Sequence, residues 1–182
     1  YYQALFATCS KLMMGVRKLE VPVIARVQGL ATAAGCQLVA QCDLAVAVNE
    51  ATFGVNGIDV GLFCATPSVP LVRNMAPKPA LEMLLTGGFI AADEARARGL
   101  VNRVVPAADL EAETMRLATQ LAAAPPLALR GMLDCVNIGG ECGIGEGLEY
   151  ESAQFGLVFS TDDMREGTAA FLEKRKPAFS GK

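Results

Sequence analysis

Two short apolar runs separated by about fifteen residues constrain the fold of this chain more than any other feature. The first, Val21-Pro22-Val23-Ile24-Ala25-Arg26-Val27, is rich in β-branched residues; the second runs from Asp43 to Val48. Near-continuous apolar runs of this length, without polar alternation, belong to strands covered on both faces, as in parallel sheets. Between them lie a turn at Gln28-Gly29 and a small-residue stretch, Ala31-Thr32-Ala33-Ala34-Gly35, that opens a helix through about Gln41. Parallel neighbours need a crossover, and a helix over 33–41 is long enough to supply it. The expectation is an α/β fold in which 21–27 and 43–48 pair in parallel. Phe53 then begins a short extended piece, and Gly54, Gly57 and Gly61 punctuate the loop after it.

The remainder is mostly helical. Tyr2, Leu5, Phe6, Cys9, Leu12, Met13, Val16 and Leu19 recur at helical spacing from the first residues, with no capping residue before them and no initial Met. A helix lacking its cap is expected where something upstream is missing. Short helices are predicted from Thr66-Pro67, over Pro77 to Leu85, and from Ala91 to a stop at Gly99. Val101 to Val105 reads as a short strand. A long amphipathic helix follows (Leu110, Thr114, Leu117, Ala118, Leu121), ended by Pro125-Pro126. Leu127–Val136, Glu146–Val158 and Asp163–Lys176 complete the helices, with a glycine-rich loop from Gly139 to Gly147.

Composition excludes several function classes. Apolar residues make up 52% of the 182, charged residues 19%, and the net charge is −3. Such a chain can build a core and carries no basic footprint for nucleic acid. No apolar run reaches the roughly 18 residues of a membrane span. There is no histidine, which removes Ser-His-Asp and Cys-His systems and His-based metal sites. General acids and bases are limited to Asp, Glu, Lys, Tyr, Cys or water. The cysteines, Cys9, Cys36, Cys42, Cys64, Cys135 and Cys142, form no C-x-x-C pair. They read as free thiols of a reducing compartment, and no metal is expected.

The strongest local signal for chemistry runs from Val23 to Gly61. A buried strand delivers a turn, and small residues crowd the start of a helix. Helix N-termini present unpaired N–H groups and a positive dipole end, which suit an anion or developing oxyanion. Close strand–helix packing also requires Ala and Gly, and the segment alone does not separate the two readings. It contains neither G-x-x-x-x-G-K-[ST] nor G-x-G-x-x-G, so neither a phosphate loop nor a dinucleotide fingerprint is present.

Three runs together resemble one family. They are Pro22-Val-Ile-Ala-Arg-Val-Gln-Gly-Leu-Ala-Thr-Ala-Ala-Gly-Cys-Gln-Leu-Val-Ala-Gln-Cys-Asp43, Leu85-Thr-Gly-Gly-Phe-Ile-Ala-Ala-Asp-Glu-Ala95 continuing to Gly99-Leu100-Val101, and Glu166-Gly167 through Ala170-Phe-Leu-Glu-Lys-Arg175 to Pro177. In this order they resemble the enoyl-CoA hydratase/isomerase, or crotonase, family. The resemblance implies a ClpP/crotonase-like ββα-superhelix, with 1–106 its C-terminal portion and 107–182 a helical region for trimerisation and CoA contact. It implies an acyl-CoA thioester as ligand, no separate cofactor because CoA is part of the substrate, and self-assembly as a trimer or pair of trimers. Neither a nucleic-acid nor a membrane partner is implied; the location is cytoplasmic, or mitochondrial in a eukaryote.

The same resemblance assigns positions. The Ala34 N–H becomes one of two oxyanion donors, the other falling upstream of this chain. The two hydratase glutamates fall on Gln37 and Gly57, and a third carboxylate used by some isomerases falls on Ala65. Gln can hydrogen-bond a water but cannot accept its proton as a base, and Gly does neither. Asp59 lies two residues beyond the second position, roughly 6 Å away in extended chain, and reads as a loop-capping carboxylate. Ala31, Phe155 (or Phe159) and Lys174 fall where the family contacts CoA. The residues therefore leave open an enzyme using an unrecognised base and a non-catalytic acyl-CoA binder or partner subunit.

Overall fold

The computed structural model describes residues 1–64 and 66–182. The chain divides into two compact units, one of residues 1–19 and 23–116, the other of 20–22 and 117–182.

The first unit opens with helix α1 (Tyr2–Arg17), then strand β1 (Ile24–Val27), β2 (Leu30–Thr32), α2 (Ala34–Gln41), β3 (Leu44–Val48) and β4 (Thr52–Gly54). A 3-10 turn over Asn56–Val60 leads to α3 (Ser68–Asn74), α4 (Pro77–Thr86), β5 (Ile90–Ala91), α5 (Ala92–Ala97) and β6 (Arg103–Val105); a second 3-10 turn, Ala107–Asp109, opens α6 (Leu110–Ala122), within which the division falls. One three-stranded sheet has the order β1-β3-β6, the other β2-β4-β5. In the first, β1 pairs β3 in parallel with Ile24 opposite Leu44 and Val27 opposite Ala47, and β3 pairs β6 in parallel with Val46 opposite Arg103. The two apolar runs are thus parallel neighbours, as expected. The central position of β3 explains its composition: Ala45 to Val48 are all buried.

The region between the runs departs from expectation. Ala31 and Thr32 do not open a helix; with Leu30 they form β2, which pairs in parallel with β4, Leu30 opposite Thr52 and Thr32 opposite Gly54. Helix α2 starts only at Ala34. Apolar small residues are compatible with either state, and the ladder to β4 decides it. The sequence also gave no sign of β5, which pairs antiparallel to β4 with Ile90 opposite Phe53. Gly54 meets the edge of the Phe89 ring where a Cβ would be, so the close approach of that ring requires glycine there.

Local hydrogen bonds set where elements begin. The first strand starts at Ile24 because Pro22 has no N–H to give and the Val23 N–H donates to Asp43 Oδ2 at 2.7 Å. The strand predicted from Val101 starts at Arg103, because Asn102 is used as a clasp: its N–H donates to the Ala45 carbonyl at 3.0 Å, and its Oδ1 accepts from the Ala45 N–H at 2.7 Å. Asn74 ties α3 to α2, donating from Nδ2 to the Ala40 and Pro70 carbonyls at 2.7 and 2.8 Å. Phe53, Leu71, Met83, Val46 and Val55 form the fully buried centre.

The second unit holds α7 (Pro126–Gly139), α8 (Ile144–Phe159) and α9 (Asp162–Glu173). Gly131 lets α7 approach α8, since a Cβ there would already touch Val158 at 3.7 Å. Thr161 caps α9 by accepting the Met164 N–H at 3.1 Å. The helix predicted to run to Lys176 stops at Glu173, where Lys174 takes a left-handed conformation, φ 56°. Arg175 then turns back onto Glu166 with two hydrogen bonds, 2.6 and 2.8 Å. The buried Asp163 carboxylate accepts the Ser180 and Gly181 N–H groups at 2.6 and 3.0 Å, which straps the tail across the start of α9.

The Asn102 clasp leads to a stability prediction. Replacing Asn102 with Ala leaves the buried Ala45 N–H unpaired, and an unsatisfied buried donor costs about 1–3 kcal/mol. Urea denaturation of Asn102→Ala should show that loss; an unchanged midpoint would mean the clasp contributes nothing.

Candidate functional site

The candidate site is organised by one unusual backbone position. Ala33 has φ 49° and ψ −118°, one of two non-glycine residues with positive φ among those described, the other being Lys174. A Cβ is disfavoured there, at a cost of order 1–3 kcal/mol. Two hydrogen bonds hold it: the Ala33 N–H donates to the Gly54 carbonyl at 3.0 Å, and the Ala33 carbonyl accepts the Gln37 N–H at 3.0 Å. The turn swings the chain from β2 into α2 within one residue. It leaves Ala34 exposed at the first position of the helix, its N–H without a hydrogen-bond partner among the described residues.

Gln37 lies one turn along, on the same face as Ala34. It is only 6% exposed, and its Oε1 accepts from the Cys9 thiol of α1 at 3.7 Å. Behind it, Cys36 is completely buried. Its thiol is pushed up to about 12, chiefly by desolvation and secondarily by Cys64 nearby, against a smaller opposing bond from the Gly54 backbone. Cys36 is therefore a neutral thiol and no nucleophile.

The 3-10 turn that carries Gly57 is tied to β2, the strand that leads into the Ala33 turn. Thr32 Oγ1 donates to Asn56 Oδ1 at 3.2 Å, linking this turn to β2. The Gly57 N–H donates to Cys64 Sγ at 3.1 Å. A Cβ at Gly57 would stand 3.0 Å from both the Cys64 backbone nitrogen and Sγ, and 3.1 Å from the Phe63 carbonyl carbon. The chain at 63–64 has closed over the space a side chain at 57 would fill. Asp59 lies against the turn that ends α4, its Oδ1 2.9 Å from where a Gly87 Cβ would be. Ala65 lies outside the described residues.

The other sequence-assigned residues are dispersed. Ala31 is buried within β2, opposite Phe53. Phe155 belongs to the second unit, on α8, with its ring 5.6 Å from Phe159. Lys174 is exposed at the left-handed end of α9. Among the described residues no group of His, Cys, Asp and Glu could hold a metal ion, and no helix is long and apolar enough to cross a membrane.

Sequence reasoning missed the contacts that shape this site. Cys9 and Gln37 are 28 residues apart, Thr32 and Asn56 24. Neither pair has a local signature. The strain at Ala33 was hidden because alanine is not a residue that announces positive φ.

Comparison with known proteins fixes the class. The family model for enoyl-CoA hydratase/isomerase matches residues 2–182, and solved structures superpose with TM-scores up to 0.95. The chain belongs to the enoyl-CoA hydratase/isomerase family and has the crotonase fold. It is 46% identical over 182 residues to human enoyl-CoA hydratase domain-containing protein 3, mitochondrial, covering 99% of this chain and 59% of that protein. The mouse counterpart is 44% identical, with 60% of its length covered. The crystal structure of the human protein matches at TM-score 0.93 and 45% identity, covering 98% of this chain and 71% of that one. An enoyl-CoA hydratase from Mycobacterium smegmatis matches at TM-score 0.95 and 45% identity, with 98% and 70% covered. The chain spans about 60% of the length of those curated relatives.

Two predictions follow from the geometry. Gly57→Ala forces its neighbours outward by a few tenths of an ångström; Cys64 Sγ can rotate away, but the backbone nitrogen cannot. The expected loss is about 1–3 kcal/mol, read as a lower urea midpoint, and an unchanged midpoint would show that the loop yields freely. The second concerns the tail. Bonds from Arg175 and then from the Ala178 N–H hold the Glu166 carboxyl down at about 2, from an ordinary 4.5. The stabilisation this represents is present above pH 4.5 and lost as pH falls towards 2. The protection of the Ala178 amide, its exchange rate relative to that of an unstructured amide at the same pH, should fall over that window, and Glu166→Gln should remove the dependence.

Proposed function

We propose that this chain is an acyl-CoA-binding protein that polarises a CoA thioester through the Ala34 N–H but lacks the glutamate pair of a hydratase. The observation that carries the reading is the partnerless Ala34 N–H at the start of α2, presented by a strained turn that two hydrogen bonds hold in place. A donor at a helix N-terminus, fixed before the ligand arrives, is what stabilisation of a thioester oxyanion requires. The N–H is one of the two donors that the family resemblance calls for. Coenzyme A enters as part of the ligand, and no separate cofactor is needed. By the family resemblance, Ala31 is a proposed CoA contact of the first unit, and Phe155 and Lys174 of the second unit are proposed contacts to the CoA of a neighbouring subunit. Assembly as a trimer or pair of trimers belongs to the same reading, as does a mitochondrial location in a eukaryote, after the relatives named above.

A second reading, a non-catalytic binder or partner subunit of the same fold, draws on a specific observation. The positions assigned to the glutamates hold Gln37, its Oε1 engaged by a thiol, and Gly57, closed over by Cys64. Neither residue transfers a proton. Loss of general acid–base catalysis typically costs a factor of roughly 10²–10⁴.

Crotonyl-CoA tests both parts of the proposal, that the chain binds an acyl-CoA and that it lacks a working acid–base pair. The chain should bind it in calorimetry and consume it at little above the uncatalysed rate in an absorbance assay. Robust hydration would overturn the absence of a working acid–base pair and make Asp59→Asn the next variant. Absence of binding would overturn the acyl-CoA reading.

A further inference from the structure

Lys174 stands where this chain otherwise uses glycine. Among the described residues only Ala33 and Lys174 carry a side chain at positive φ. The left-handed residues that end the 3-10 turn Asn56–Val60, end α4 and follow α5 are Gly61, Gly87 and Gly99, at φ 74°, 68° and 90°. Glycine is the ordinary residue in such a place, because a Cβ is disfavoured there. A lysine kept in it points towards function, and its surroundings show how it is kept. The Arg175 N–H donates to the Ala170 carbonyl at 3.0 Å. The Arg175 guanidinium gives two bonds to Glu166, at 2.6 and 2.8 Å, and one from Nε to Glu173 at 2.6 Å. The Glu166 carboxylate also accepts the Ala178 N–H at 2.8 Å, so one side chain grips the tail at 175 and again at 178. Of three consecutive cations, the middle one is thus spent within the protein. Lys174 and Lys176 are exposed, and their ammonium groups have no ion-pair or hydrogen-bond partner among the described residues.

We propose that Glu166 is a positioning residue for the acyl-CoA ligand: by gripping Arg175 it keeps Lys174 in the left-handed turn from which its ammonium meets a phosphate of CoA. The inference rests on the acyl-CoA reading above and deepens its Lys174 contact. A lysine ammonium rides on a flexible stem, and ordering that stem and the chain beneath it costs affinity. Fixing the backbone before the ligand arrives removes part of that cost. A bidentate carboxylate–guanidinium pair suits the task, because its fork defines direction as well as distance. Without the Glu166 charge, Arg175 keeps only its neighbour Glu173, the turn relaxes and Lys174 leaves its line. The sign of the effect separates this role from plain electrostatics. Removing a carboxylate makes the surface around two lysines more positive, which by itself strengthens the binding of a polyanion. Loss of positioning weakens it.

Crotonyl-CoA, titrated calorimetrically into the unmodified chain and its variants, reads that sign. Glu166→Gln should bind it roughly three- to fivefold more weakly, the worth of one exposed charged contact. Arg175→Lys keeps the net charge but lacks the fork; it should weaken binding to a similar extent, and it carries the test if Glu166→Gln fails to fold. Lys174→Gly should lose a similar factor without lowering the urea midpoint, since glycine suits the turn. In the double variant Glu166→Gln/Lys174→Gly the first substitution should cost no further affinity, because Glu166 acts through Lys174. A merely structural role for the Glu166–Arg175 pair would give additive losses. If Glu166→Gln and Arg175→Lys bind crotonyl-CoA as well as the unmodified chain or better, or if the Glu166→Gln loss persists in full beside Lys174→Gly, this inference is overturned and the acyl-CoA reading stands. If the unmodified chain does not bind crotonyl-CoA, the acyl-CoA reading itself falls and takes this one with it.

Discussion

The hydrogen bond from the Ala33 N–H to the Gly54 carbonyl is the interaction on which the rest of the site depends. It fastens the end of β2 to the end of β4 and holds alanine in a conformation it would otherwise leave. Release of that bond would relax the turn, extend the chain past Ala33 and redirect the first turn of α2. Thr32 and Asn56 reinforce the same junction from the side chains. The strain is therefore offset by the sheet behind it, and the parallel ladder β1-β3-β6 is the platform that keeps α2 and its first N–H in one place.

The two apolar runs made the sheet legible before any coordinates, because burial on both faces leaves a compositional mark. That holds for the central strand, where Ala45 to Val48 are all buried; the first run supplies the outer strand of the β1-β3-β6 sheet, in which only Val27 is buried, Arg26 is exposed and Val21 lies outside the strand. The small-residue stretch at 31–35 was ambiguous for a physical reason: Ala and Thr at that length fit a strand edge or a helix start, and only the partner strand at Thr52–Gly54 decides. Lys174 misled in a similar way. Its helical neighbourhood gave no hint that Arg175 would reach back nine residues to Glu166. The site was legible as a location and not as an arrangement. The positions of Ala34, Gln37 and Gly57 came from family resemblance, whereas the Cys9 thiol behind Gln37 and the Cys64 thiol over Gly57 are long-range contacts with no local pattern.

The thiols fill a role that composition obscured. Six cysteines without a C-x-x-C pair suggested passive core residues, and Cys36 fits that description, buried and neutral. Cys9 and Cys64 do something else. Each sits against a position that the resemblance gives to an acid, one holding an amide carbonyl and the other accepting a backbone N–H. A sulfur atom is large, polarisable and weakly hydrogen-bonding, suited to taking up volume while leaving little charge behind.

The closure of Phe63–Cys64 over Gly57 also bears on the order in which this protein could change. With the backbone nitrogen of Cys64 3.0 Å from the point where a side chain would begin, an acid at position 57 is not reachable as a single neutral step. The 63–64 segment has to move outward first, and until position 57 changes nothing rewards that movement. The two positions are thus epistatic, and the present arrangement acts as a ratchet: a loop that settles into the room left by a glycine makes the glycine hard to replace.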